Sequence, residues 1–250
     1  MFTFITLIML ATIASAIWIL TPAKLRQQDK ILQTQFDQLQ GYTGDPVIQT
    51  LRDTGPDAVA FLARQMKRKD SVLLDWYVAL WPKLPVFIKS KLKQPVNATT
   101  IRVKAVGALR QMGTSFTGSE IGLVALTNAL SHPDIELRSR AEGALGDLGP
   151  KAKDAVPALI ECVAAGTNIN GVWALGRIGP DAKAALPILE FKMRQGTGRE
   201  RVYAAGAVWK IGGENTEARI VIKEALENPD RHIRIDAENV LVESPEICPQ

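Results

Sequence analysis

The chain has 250 residues, 46% hydrophobic and 22% charged, with a formal net charge of +4. This is an ordinary globular composition, able to bury a substantial core in one large domain or two small ones. A pI of about 9.1 is too mildly basic to identify a partner, and two cysteines far apart, Cys162 and Cys248, make neither a disulfide framework nor a zinc site.

The chain opens on Phe2–Leu20, an uncharged run of nineteen residues. As a helix it rises about 28 Å at 1.5 Å per residue, enough for a bilayer core of roughly 30 Å. Trp18 suits an interfacial aromatic. Thr21-Pro22 marks a boundary, with Thr21 placed to cap a new helix and Pro22 tolerated in its first turn. A cleaved signal peptide would use Phe2–Ile13 as its apolar core and Ala14-Ser15-Ala16 as its cleavage site. No Lys or Arg precedes the run, which disfavours that reading. Residues 1–21 are therefore expected to be a retained single-pass anchor. Lys24, Arg26 and Lys30 come after it and place the rest of the chain on the cytoplasmic side. Export after signal cleavage is the alternative.

Residues 22–44 are polar and rich in Gln. Leu25, Leu32 and Leu39 recur every seven residues, with Ile31 and Phe36 near the same stripe. This predicts an amphipathic helical stalk that packs onto the next segment of the chain, with a short coiled-coil stub as the other reading.

One pattern then recurs across residues 45–245. Ala-Leu-x-x-Met at 108–112 precedes Gly113. Ala-Leu-Gly-Asp-Leu at 144–148 precedes Gly149, Ala-Leu-Gly-Arg-Ile at 174–178 precedes Gly179, and Ala-Val-Trp-Lys-Ile at 207–211 precedes Gly212. Leu51 with Gly55 forms a degenerate first copy, and Val240-Leu241 with Pro245 a last one. From Gly55 onward the glycines step by 58, 36, 30 and 33 residues. Seven residues before the central Leu or Val of four copies stand Arg102, Arg138, Arg201 and Arg234. In the copy around Leu175 that position is Asn168. Pro56, Pro150 or Pro180 comes directly after the glycine, and an apolar segment such as Ala-Val-Pro-Ala-Leu at 155–159 comes next.

Ala141, Ala144, Leu145 and Leu148 fall at helical spacing and make one apolar face. The glycine past the end supplies a left-handed C-terminal cap, and the proline cannot continue the helix but is tolerated in the first turn of the next. Each unit is thus expected to be two helices of about ten residues. Such a unit cannot bury its own face, so the units stack into an all-α solenoid of antiparallel helix pairs. The doubled step before Gly113 marks an irregular helical insertion near 71–100. Its apolar residues Leu73, Leu74, Val78, Leu80 and Phe87 point to packing. Residues 246–250 are left as a tail.

The signature Asp134-x-x-Leu137-Arg138-x-x-Ala141-x-x-Ala144-Leu145-Gly146, then Gly149-Pro150 and Val156-Pro157-Ala158-Leu159, resembles HEAT-like repeats of the short phycobilisome-lyase type. Asp230, Ile233, Arg234 and Ala237 repeat its first half. The resemblance spans about four-fifths of the chain. It implies that Asp134, Arg138, Asp230 and Arg234 tie neighbouring repeats together, and that the arginine-bearing helices line a concave face. It implies no lyase activity, because fold does not fix function.

No nucleophile motif, phosphate loop or dinucleotide signature occurs. His132 and His232 occupy repeat turns with no second ligand at metal-binding spacing. Glu136 and Glu142 read as ordinary surface carboxylates of a helix. No cofactor, metal or catalytic role is expected. Residues 64–104 hold ten Lys and Arg against Asp70 and Asp75, a local charge of +8. This stretch is either a solvated face or a contact for anionic lipid beside the anchor, with nucleic acid the weaker choice. On the expected concave face, the outward positions are Arg110, Arg140, Trp173, Arg177, Tyr203, Trp209 and Lys210. Arginines and aromatics are the usual hot-spot residues. Trp173 and Trp209 stand where sister repeats have glycine, so they either meet a partner or fill gaps between repeats. The expected function is protein–protein scaffolding. A nucleic-acid-binding array and a lyase-like enzyme are the rivals.

Overall fold

A computed structural model describes residues 27–39, 45–69, 72–92, 94–166 and 169–247, and among these the chain is all-helical. Helix α1 (Gln27–Gln38) is the stalk. It buries Leu32, Phe36 and the adjoining Leu39 and leaves Ile31 exposed; Leu25 lies outside the described residues. Phe36 meets Phe61 edge-on at 5.8 Å. The stalk thus packs onto the first helix pair, α2 (Pro46–Thr54) and α3 (Pro56–Met66).

The insertion comes next as α4 (Val72–Leu80), a 3-10 turn at Trp81–Lys83 and α5 (Val86–Lys89). The expectation that its apolar side chains pack is corrected for Leu73 and Phe87. Tyr77 is the buried residue of α4, edge-on to Trp81 at 5.8 Å. Leu73 is 50% and Phe87 69% exposed, while Leu74, Val78 and Leu80 are half-buried.

The regular pattern resumes with α6 (Ala98–Met112), a short α7 (Thr114–Thr117) and α8 (Glu120–Leu130). Next come α9 (Ile135–Leu148), a 3-10 segment Gly149–Ala155 and α10 (Val156–Ala164). The same order returns as α11 (Ile169–Ile178), Gly179–Ala185 and α12 (Leu186–Gln195). Helices α13 (Gly198–Gly212), α14 (Thr216–Leu226) and α15 (Arg231–Glu243) and a 3-10 turn Pro245–Ile247 complete the described chain. The first helix of a pair is longer than expected, at 15, 14 and 15 residues in α6, α9 and α13. Pro150 and Pro180 sit in the 3-10 segments, and Pro157 and Pro187 take the first-turn position of the next helices, α10 and α12. Gly149 closes α9 with φ 56°. The cap expected at Gly212 falls one residue later, at Gly213 with φ 87°, because α13 runs through Gly212.

Helices α2, α6, α9, α11, α13 and α15 pack each on the next, forming one row. Helices α3, α8, α10 and α12 do the same on the other side. One apolar core joins them from Leu32 to Ile247, with Ala141, Ala144, Leu145 and Leu148 all buried.

The arginine register has a clear physical role. Arg138 donates from Nη1 to the carbonyls of His132 and Pro133 at 2.6 and 2.8 Å. Arg234 donates in the same way to Asn228 and Pro229 at 2.7 and 2.9 Å. Both close the turn that joins one helix pair to the next. Asp134 and Asp230 cap α9 and α15, accepting from the Leu137 and His232 amides. Arg102 donates to the Arg68 carbonyl at 2.5 Å. Arg68 lies two residues past the end of α3, as His132 does past α8 and Asn228 past α14. The insertion is therefore an excursion from an ordinary junction that Arg102 holds shut. Arg201 differs, donating to the Met193 carbonyl and to Glu224. Asn168 lies outside the described residues.

No helix among the described residues is long and apolar enough to cross a membrane. The run Phe2–Leu20 lies outside them.

Candidate functional site

The row from α6 to α15 carries the seven candidate side chains. In α11 the residues Val172, Ala174, Leu175 and Ile178 are buried, which leaves Trp173 and Arg177, four apart, on another face. In α13 Tyr203 and Lys210 stand seven apart, two turns along one face. Asp236 and Glu243 on α15 have the same spacing, so the two helices meet in register. The Tyr203 hydroxyl donates to Asp236 Oδ1 at 3.0 Å, and Lys210 pairs with Glu243.

Asp236 is buried and also receives Arg199, through Nε at 2.5 Å and Nη2 at 3.0 Å. That hydrogen bond raises the Arg199 pKa, while burial, then the bond to Asp236, raises the Tyr203 pKa. Arg177 reaches Glu243 at 3.5 Å and lies 5.8 Å over the Trp173 ring. Around these residues runs an open groove of about 710 Å³, lined by Arg177, Trp209, Lys210, Arg219, Glu243 and Glu246. A smaller depression of about 170 Å³ adjoins it between Trp173, Tyr203 and Asn239. Five of the seven candidates therefore come together. Arg110 and Arg140 do not join them. They lie along the seam of α6 and α9, Arg110 paired with Asp147 and Arg140 with Glu136 at 2.9 Å.

Three expectations are corrected. Trp209 does not point outward. It is 6% exposed, its Nε1 donates to Glu246 at 3.3 Å, and Arg219 lies 5.2 Å over its ring. Trp173 is half-buried, and its ring occupies the space above Gly146. The missing side chain at Gly146 is the seat for the tryptophan of the next helix. Arg110 uses Gly143 similarly, 3.4 Å from where a Cβ would stand. Glu142 is also not the surface carboxylate expected. It is fully buried beside Cys162. Burial first, then the negative charge and hydrogen bond of Glu142, push the Cys162 thiol up to about 11. Cys248 lies outside the described residues.

Sequence reasoning missed Asp236, Glu243 and Glu246. The available signal was the matched spacing of seven in α13 and α15. No group of three or more His, Cys, Asp or Glu is placed to hold a metal among the described residues.

The seat at Gly146 makes a prediction. A Cβ there would overlap the Trp173 ring and stand 3.1 Å from Ala174 Cα. Gly146→Ala is expected to cost about 1–3 kcal/mol, more than the helix propensity it gains. Denaturant unfolding of the single and double variants checks this. In a Trp173→Ala background the cost should shrink; an unchanged cost would place the clash elsewhere.

No protein-family model matches the chain, and no curated protein matches its sequence.

Proposed function

We propose that the chain is a membrane-anchored scaffold, an α-solenoid of HEAT-like repeats that binds a protein partner along the row from α6 to α15 and carries out no catalysis. The successive packing of the row's helices and the recurring arginine clamp support the repeat reading. Phe2–Leu20 is the anchor of this reading, with the repeats on its cytoplasmic side. The observation that carries the binding role is the groove at α11, α13 and α15. It offers charges of both signs, a tryptophan floor and an exposed guanidinium at Arg177.

The revised recognition set is the groove rim, Arg177 with Lys210 and Glu243, rather than the two tryptophans. A photo-crosslinking residue at position 177 of the full chain, activated in native membranes, should give a discrete protein adduct. The same group at Phe191, 57% exposed on α12, should not. Arg177→Gln in a chain carrying the crosslinker at the exposed Asn239 should weaken capture by about 2 kcal/mol, roughly 30-fold, with little change in melting temperature, because the exposed pair it breaks with Glu243 adds little stability. No adduct above the Phe191 control would reject the groove. A nuclease-sensitive adduct would make the groove's partner a nucleic acid rather than a protein.

A further inference from the structure

The insertion breaks the pattern that explains the other helices. Val72, Leu73 and Trp76 share one face of α4 and are 85%, 50% and 45% exposed. Val86 and Phe87 of α5 are 81% and 69% exposed. Elsewhere among the described residues the large exposed hydrophobics are dispersed along the sequence; here five fall within sixteen positions. Among the described residues, the only element that packs substantially on α4 is its own continuation, Trp81–Lys83. Clustered apolar exposure of this kind marks an interaction surface.

Its chemistry names the surface. Lys67, Arg68 and Lys69 lead into the insertion, and Lys83 and Lys91 flank α5; all five are exposed. Apolar and aromatic side chains among lysines are the composition of a segment that lies in a bilayer interface, where lysine stems reach up to lipid phosphates. Asp75, exposed on α4, is outnumbered by these five cations, so the excess charge of the stretch is positive.

The position of the insertion favours the same partner. Arg64, in the last turn of α3, bonds Asp29 in the first turn of α1 at 2.6 Å. The start of the stalk and the root of the insertion are therefore neighbours. Leu20 precedes Asp29 by nine residues, a reach of about 30 Å fully extended and less if helical.

We infer that α4 and α5 form a second membrane contact, seated on an anionic bilayer surface with Leu73, Trp76, Val86 and Phe87 immersed and Lys83 and Lys91 at the phosphates. This rests on the anchored reading above. Seating at this point would fix the direction in which the row of helices leaves the membrane, which a single attachment point cannot do.

The test uses the full chain with Cys248→Ser, spin-labelled at Phe87→Cys or Val86→Cys and reconstituted into vesicles. Flotation with the vesicles is read first, then label accessibility to oxygen and to a water-soluble nickel chelate. In phosphatidylcholine vesicles with added phosphatidylglycerol the label should be lipid-like; in phosphatidylcholine alone it should be largely aqueous. A label at Phe191→Cys should stay aqueous in both. Lys83→Gln with Lys91→Gln should shift the immersed-to-aqueous ratio about fivefold per lysine. A floating chain with an aqueous label at both positions in both vesicles overturns the contact and leaves the anchor standing. A label shielded equally in both vesicles overturns it too, and assigns the face to the chain's own N-terminal run, a second copy or a protein. A chain that does not float overturns the anchored reading and the contact with it.

Discussion

Trp209→Ala should destabilise the protein by about 3–5 kcal/mol, the range for truncating a buried aromatic. For a domain of this size that is roughly 6–20 °C in melting temperature, read by circular dichroism in detergent. The side chain is 6% exposed and belongs to the common core. It also fastens three elements. The ring sits on α13, Arg219 covers it from α14, and Nε1 donates to Glu246 in the last 3-10 turn. Removing it leaves a cavity and an orphaned contact where α13, α14 and the closing 3-10 turn meet. Trp209→Phe keeps most of the ring and loses the hydrogen bond, so it should cost nearer 1 kcal/mol. An unchanged melt in the alanine variant with loss of partner capture would return Trp209 to the recognition surface.

That prediction reverses a sequence expectation, and the reason is physical. Helical periodicity reports which side chains of one helix share a face. It read Leu145, Leu175 and Val208 correctly as core, because each lies in its own helix's apolar stripe. The burial of Trp173 and Trp209 is set by other segments: the empty seat at Gly146, the guanidinium of Arg219 and the carboxylate of Glu246. Nothing in the period of α11 or α13 carries that information. The glycine–tryptophan alternation was the available clue, and its gap-filling reading is the one that the packing favours.

The arginine register was legible because turn closure is local. Arg138 and Arg234 reach carbonyls five and six residues back, so the sequence spacing sets the geometry. The pairing of Arg199 and Tyr203 with Asp236 spans more than thirty residues and depends on how two helices dock. Residues 72–89 misled for the opposite reason. Their apolar content pointed to packing, but the junction they leave is already closed by Arg102 on the Arg68 carbonyl. The helix pairs on either side complete their packing around that clamp, and Val72, Leu73, Trp76, Val86 and Phe87 of the insertion are left exposed.

Leu145→Ala should cost about 2–5 kcal/mol, through lost transfer energy and the cavity left behind. Leu145 is fully buried in α9, which packs against α6, α8 and α11 and the 3-10 segment after it. Surrounded on every side, the site has little room to collapse, so the upper part of that range applies. Leu241 holds the equivalent place in the last copy and tests the argument. It is half-buried on α15, whose partners are α13, α14 and the closing 3-10 turn. Solvent and neighbouring side chains can fill the space it vacates, so Leu241→Ala should cost roughly 1 kcal/mol. Amide exchange should run in the same order, with α15 opening before α9, since sub-global opening starts where fewer neighbours hold a helix. Equal costs at the two positions would show that stability does not depend on how many neighbours enclose each helix. The core would then act as one cooperative body, and the repeat-by-repeat account of its packing would be wrong.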